Sequence, residues 1–314
     1  MTAADHQAQL RPPSAAAIAR LTFEQIFLKL QAAVAWLQAL NVRIEGTRFA
    51  HYVRSLEALV QAHRTSDYEP MGGRLTEIMN ALYEAQELAM IHDAFGASHG
   101  DYVAKRLLSL SSGPSHQLDE SGSSNAPRNL AFELLIAARL QLGGLTLLGH
   151  LPTDVAAQMS KHSILIECKR PQSMEAVQRN IKRAAEQLRD KYKSADRLGY
   201  RGVIALDLTK ALQPEFAGAM FDEESDVAPI LRSRVDALLD ELLPLMLSKA
   251  KSQKTIAYAV RLSAMLMPRS PSGSMIYAQQ YGMRVLDCPE RSRQLARELG
   301  AVFRRSLEDP AEGG

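Results

Sequence analysis

PTDVAAQMSKHSILIECK, residues 152–169, is the stretch whose reading decides the fold. Its second half, SILIECK, sets three aliphatic residues in a row before Glu167, Cys168 and Lys169, which predicts a short buried strand. Side chains alternate along a strand, so Leu165, Glu167 and Lys169 share one face while Ile164, Ile166 and Cys168 take the other. Glu167 and Lys169 then leave that face roughly 7 Å apart, within reach of one bound water or phosphate. Twelve residues separate Asp154 from Glu167, enough for a short strand, a tight turn and most of a second strand. Residues 155–157 are small and strand-compatible, and residues 158–163 are polar and turn-prone. A hairpin here brings the two carboxylates together.

Adjacent carboxylates repel unless a cation sits between them. Mg²⁺ suits such a pair, because it takes one or two protein carboxylates and fills its remaining positions with waters and substrate phosphates. The ion polarises a phosphodiester and acidifies a bound water. A lysine beside it orients the nucleophile and offsets charge building up in the transition state.

Pro152-Thr153-Asp154 followed by Glu167-Cys168-Lys169 resembles the bipartite PD-(D/E)XK signature of the restriction-endonuclease-like nuclease superfamily. The resemblance covers about residues 129–208 and implies a mixed sheet flanked by helices. It implies Asp154, Glu167 and the Cys168 backbone carbonyl as metal ligands, with Mg²⁺ or Mn²⁺ as cofactor, and Lys169 as catalytic lysine. Thr153 departs from the strict pattern, in which proline and aspartate are adjacent. Upstream, residues 129–142 (NLAFELLIAARLQL) read as a helix with Asn129 as N-cap. Glu133 falls on its apolar stripe with Leu130, Ile136, Ala137 and Leu140, where a carboxylate is costly without a partner. The resemblance supplies one: Glu133 would face the metal, directly or through water. Downstream, residues 173–193 read as a long helix carrying Arg179, Lys182, Arg183, Arg189, Lys191 and Lys193. Within it QLRDKY (187–192) is similar to a Gln and Tyr pair found in some branches of the superfamily, though one residue longer in spacing. That implies a place for Gln187 at the metal site or phosphate. Residues 202–208 (GVIALDL) complete the order helix, strand, strand, helix, strand.

The triplet is specific for this chain, since lysine supplies only 11 of its 37 basic residues and no other Asp/Glu-x-Lys occurs. The bland alternative is a surface ion pair on an edge strand; the apolar run argues for a central strand. A net charge of +2 over 314 residues does not suggest a histone-like protein or a general polyanion binder. Any nucleic-acid surface must be local, and residues 161–201, with eleven Lys or Arg against five acids, provide a candidate. Arg170, Arg179, Lys182 and Arg183 are its expected phosphate contacts; an ordinary solvated helix face is the alternative. Two cysteines, Cys168 and Cys288, are too few for a disulfide framework. No apolar run of membrane-spanning length and no signal-peptide pattern is present, so a cytoplasmic protein without membrane association is expected.

In chain order, residues 1–20 are expected to be a mobile tail and residues 21–110 an all-α domain. Phe23, Ile26, Phe27, Leu30, Ala33, Val34 and Leu37 stand at helical spacing in its first helix. Further helices are expected at about 46–62, 75–95 and 99–110. His92 and His99 flank Gly96 at seven residues' separation, which is no metal spacing. Residues 111–128 (SSGPSHQLDESGSSNAPR) read as a linker, and residues 129–310 as the nuclease-like domain. Asp222, Glu223, Glu224 and Asp226 form an acidic cluster that reads as hydrated loop charge. Pro229 is expected to open a helix. Residues 254–268 and 275–286 read as strands joined by a turn at 269–274, and residues 289–307 as an Arg-rich final helix.

The predicted fold class is therefore α/β, a restriction-endonuclease-like core preceded by an all-α N-terminal domain. The predicted function is metal-dependent hydrolysis of phosphodiester bonds in nucleic acid, with DNA as first choice, in defence, restriction or repair. The alternative is a catalytically inactive nuclease-fold protein acting as a nucleic-acid-binding or assembly module. The N-terminal helices are then available to a second copy or a partner protein.

Overall fold

The computed structural model describes residues 15–97, 100–116, 119–120, 124–193, 199–216, 220–221, 224–269 and 273–307. His99, Asp222, Glu223 and the 270–272 part of the expected turn lie outside them.

A mixed sheet flanked by helices organises the chain. Its order is β1-β8-β7-β5-β4-β3-β2, where β1 is Ala15–Thr22, β2 Thr146–Leu147, β3 Val155–Met159, β4 His162–Lys169, β5 Tyr200–Asp207, β7 Thr255–Pro268 and β8 Ser274–Val285. A short β6, Met220–Phe221, pairs with the end of β7. The deciding stretch folds as the expected hairpin: β3 and β4 are antiparallel, with Met159 opposite His162. Ser160 takes a positive φ of 51° in the tight turn. On its other side β4 runs parallel to β5, and β5 parallel to β7. β4 is thus an interior strand, and the edge-strand alternative is ruled out.

Alternation along β4 distributes its side chains as its sequence dictates. Ile164, Ile166 and Cys168 enter one apolar core; Leu165 enters the other. The second core is closed by α6, Met174–Tyr192, and α8, Glu224–Lys249. α6 is strongly one-sided: Val177, Ile181, Ala184, Ala185 and Leu188 are buried, while Arg179, Lys182, Arg183 and Arg189 face solvent. Between the two helices lies α7, Thr209–Phe216.

The first core departs from expectation. It gathers α1 (Phe23–Ala39), α2 (Arg48–Thr65), α3 (Leu75–Phe95), α4 (Asp101–Leu107), α5 (Ala126–Leu142) and α9 (Glu290–Arg305) with the inward residues of β3, β4, β5, β7 and β8. The N-terminal helices therefore pack on the sheet rather than around a core of their own. Nor is the N-terminal part all-α: residues 15–20, expected in a mobile tail, begin β1, which pairs antiparallel with β8 over eight residues. Thr22 ends that strand and caps α1, accepting from Gln25 N at 3.1 Å while Gln25 Oε1 accepts from Thr22 N at 2.8 Å, a capping box that the sequence T-F-E-Q encodes. The expected linker is also tied down where it is described. The Ser115 carbonyl accepts from Tyr52 OH (2.6 Å) and Asn80 Nδ2 (2.9 Å), and α5 already starts at Ala126. Finally, α8 begins at Glu224, so Pro229 lies inside the helix rather than opening it.

Candidate active site

The hairpin brings two of the predicted acids and the lysine to one point. The Lys169 ammonium donates to Asp154 Oδ2 at 3.1 Å, Glu167 Oε2 at 3.3 Å and the Cys168 carbonyl at 3.0 Å. These are the three oxygens expected to bind a metal, and here one ammonium nitrogen is common to all of them. Asp154 Oδ2 also accepts from the Cys168 backbone N–H at 2.8 Å, which fixes the carboxylate to the end of β4. Burial disfavours the charged Lys169, but Asp154 and Glu167 outweigh it and hold the lysine pKa above its ordinary value.

Glu167 is fully buried, and its second oxygen accepts from Thr153 Oγ1 at 2.9 Å and from Lys191 Nζ. Thr153, the residue that departs from the strict pattern, thus orients one of the acids. Because Glu167 projects to the α6 side of the sheet, Lys191 near the end of that helix can reach it.

Glu133 approaches from α5. Burial first, then the neighbouring Asp154 charge, push its carboxyl up to about 7, against the pull of Arg106, whose Nε is 3.3 Å from Glu133 Oε2. Arg106 itself comes from α4, within the segment expected to form a separate domain. Its Nη2 donates to the Asp154 carbonyl at 3.1 Å, and its guanidinium lies 3.8 Å from the Tyr102 ring centroid. Tyr102 donates its hydroxyl to that same Asp154 carbonyl. Three acids (Glu133, Asp154, Glu167) and three cations (Arg106, Lys169, Lys191) therefore share the site.

A cleft of about 690 Å³ opens on it, lined by Arg106, residues 151–154, Gln187, Asp190 and Lys191. Gln187 Oε1 is buried there without a hydrogen-bond partner among the described residues. Along α6, Arg179, Arg183, Gln187 and Lys191 recur every four residues and so form one row leading away from the cleft.

The remaining expected residues fall as follows. Arg179, Lys182 and Arg183 are exposed on α6, open to a polyanion. Arg170 is not: it is buried and bonded to Glu120 at 2.7 Å, so it is corrected from a surface phosphate contact to a member of an internal ion network. Tyr192 turns away from the site, its hydroxyl 3.2 Å from Thr255 Oγ1. His92 lies tilted against Trp36, with ring centroids 5.4 Å apart. Cys168 faces the first core, and burial raises its thiol pKa well above the ordinary value, leaving it an inert apolar residue.

Sequence reasoning missed Arg106 as a site residue and read Lys191 only as helix charge; no local pattern marks either. Among the described residues no group of three or more His, Cys, Asp or Glu side chains is disposed to hold a metal ion. The oxygen donors nevertheless suit a hard cation: two carboxylates and a carbonyl meet one positive charge, and an unpaired amide oxygen lies in the adjoining cleft wall. No described helix is long and apolar enough to cross a membrane. Compared with protein-family models, curated proteins and solved structures, the chain matches none.

The raised Glu133 pKa predicts a pH dependence for the metal-free protein. Its carboxyl holds a proton in the folded state up to about 7, against an ordinary 4.5. The folded state then binds more protons than the unfolded one between those values, and stability falls as pH rises through that window, by roughly 3 kcal/mol in all. Urea midpoints measured from pH 4.5 to 7.5 in EDTA should show that decline in the wild type and a flatter profile in Glu133→Gln. Parallel profiles would show that Glu133 ionises normally.

Proposed function

We propose that this chain is a metal-dependent nuclease that hydrolyses phosphodiester bonds, using Mg²⁺ or Mn²⁺, with DNA as the first substrate to test. The observation that supports this reading best is the meeting of Asp154 Oδ2, Glu167 Oε2 and the Cys168 carbonyl on the Lys169 ammonium, beside an open cleft.

In this reading Asp154, Glu167 and the Cys168 carbonyl hold the ion, and Glu133 supports it directly or through water. When bound, the ion supplies Lewis-acid activation of the phosphoryl group and of a water. Lys169 orients the attacking water and offsets negative charge on the phosphate. Gln187 offers its unpaired oxygen as acceptor for a water proton. Arg106, at the cleft wall, contributes positive charge toward a phosphate, and the Arg179–Arg183 row extends that charge along the strand's path.

Cleavage of labelled DNA and RNA, single- and double-stranded, in Mg²⁺ or Mn²⁺ and its loss in EDTA is the expected result. Absence of cleavage for all of them removes the reading. A second reading has its own observation: Glu167 is wholly buried with both oxygens engaged by Thr153, Lys169 and Lys191. This favours a nuclease fold retained for binding, which calorimetry would reveal as nucleic-acid affinity without metal uptake.

Both readings route nucleic acid along α6. Arg179→Ala and Arg183→Ala are each expected to weaken DNA binding and to lower the slope of log K against log salt by about 0.9. Fluorescence anisotropy across a salt series measures this, and an unchanged slope in both variants places the strand elsewhere.

A further inference from the structure

The proposed chemistry gives a role to every cation of the site except Lys191. This lysine is held on Glu167: its ammonium donates to Oε1 of that fully buried carboxylate, while Lys169 donates to Oε2 at 3.3 Å. The two ammonium groups are not equally fixed. Lys169 has three oxygens around it, whereas Glu167 Oε1 is the one acceptor of Lys191 among the described residues. Thr153 Oγ1 donates to the same oxygen at 2.9 Å, so Glu167 Oε1 keeps a donor when Lys191 leaves it.

Position gives Lys191 somewhere to go. It lines the cleft of about 690 Å³ that opens on the site, and the buried Glu167 does not. The ammonium therefore stands between the carboxylate and the open space. Asp190, also in the cleft wall, is bonded to Lys193 at 2.7 Å. Lys191 ends the row in which Arg179, Arg183 and Gln187 precede it on α6, at the point where that row reaches the cleft. Its flexible four-carbon stem lets the charge be re-aimed without moving the helix.

Charge balance decides when the lysine moves. Asp154 and Glu167 are matched one for one by Lys169 and Lys191. With a divalent cation on the two acids, both ammonium groups lose counter-charge, and the third acid, Glu133, is bonded to Arg106. A phosphate in the cleft supplies the missing negative charge, and Lys191 lines that cleft.

We propose that Lys191 is a phosphate-binding residue, held on Glu167 in the metal-free protein and transferred to a phosphodiester of the substrate when a divalent cation is bound. The inference rests on the nuclease reading of this site. It makes metal and nucleic acid bind cooperatively: the phosphate draws Lys191 off Glu167, which frees charge for the metal, and the metal releases Lys191 to the phosphate. By linkage the coupling is the same in both directions.

Two measurements without turnover test this on the full-length wild type and Lys191→Met: calorimetry with Mn²⁺ alone, and fluorescence anisotropy of a phosphorothioate-linked oligonucleotide in EDTA and in Mn²⁺. Lys191→Met is expected to bind Mn²⁺ roughly tenfold more tightly, because a competing charge has left Glu167. It should match the wild type on the oligonucleotide in EDTA and bind it roughly tenfold more weakly in Mn²⁺. Unchanged or weaker Mn²⁺ binding by the variant would make Lys191 a structural partner of Glu167. An oligonucleotide loss of equal size in EDTA and in Mn²⁺ would put Lys191 on the phosphate throughout, and no loss in either would take it off the phosphate altogether. Each of these three results overturns the transfer. A wild type that takes up no Mn²⁺ removes the nuclease reading and this inference with it; where the wild type takes up Mn²⁺ and cleaves DNA, the three results bear on Lys191 alone. Should Lys191→Met fail to purify folded, Lys191→Gln, an uncharged donor to Glu167, replaces it in both titrations under the same criteria.

Discussion

Lys169→Ala is expected to slow metal-dependent phosphodiester cleavage by roughly 10²–10³-fold while binding Mn²⁺ more tightly than the wild type. The two effects have opposite sign because the ammonium has two roles in the proposed site. It would stabilise charge developing on the phosphate, so removing it raises the barrier. It also stands 3.0 to 3.3 Å from the three oxygens expected to bind the ion, so it competes electrostatically with a divalent cation for the same donors. Without it Asp154 loses its ammonium partner, and Glu167 keeps only Lys191 and the Thr153 hydroxyl. Single-turnover cleavage and Mn²⁺ calorimetry on the same preparations separate the roles. Wild-type rates in Lys169→Ala would sink the catalytic assignment. Weaker Mn²⁺ binding in that variant would show instead that the ammonium helps to organise the carboxylates rather than competing with a metal for them.

The part of this site that sequence discloses is the part built by one hairpin. Alternation along SILIECK fixes which face Glu167 and Lys169 share, and a two-residue turn returns Asp154 to them; both follow from local geometry. Glu133 stood out as a carboxylate on an otherwise apolar helical stripe that needs a partner, and its place at the site was implied only by the resemblance. Arg106 was not, because nothing in DYVAKRL tells that this short helix packs beside a hairpin some fifty residues later. Arg170 was misjudged because charge was read as exposure. The residue after the strand is buried where Glu120, fifty residues earlier, meets it, and only a tertiary partner makes a buried arginine tolerable. β1 escaped notice because AAAIARLT is half alanine, has no aromatic residue and only Ile18 and Thr22 as β-branched ones; its pairing with β8 supplies what local preference does not. That one strand also undoes the separation of an N-terminal domain, since α1 grows directly out of the sheet at Thr22.

The same dependence on distant partners makes Arg261 the residue whose loss should cost the fold most. It lies on β7 opposite Asp207 of β5, 1% exposed, and bonds Asp207 Oδ2 at 2.9 Å and Glu87 of α3. A β-sheet position is thereby fastened to an N-terminal helix through a charge. Tyr83 and Ser263 continue the network, with Tyr83 OH 2.8 Å from Ser263 Oγ. Arg261→Met would strand two carboxylates in the interior, and breaking a buried pair in this way costs about 3–5 kcal/mol. Guanidinium-chloride unfolding at pH 8 measures it. The loss should shrink at pH 5: burial already raises the Glu87 pKa against the pull of Arg261, and without that pull its carboxyl takes up a proton more readily in the folded state. The folded variant then binds more protons than the unfolded chain, so its stability decreases as pH rises. Arg261→Met/Glu87→Gln should recover part of the loss at pH 8, because it removes one of the stranded charges. A single variant within about 1 kcal/mol of wild type at pH 8, well short of the value for a broken buried pair, would mean that apolar packing alone holds α3 to the sheet.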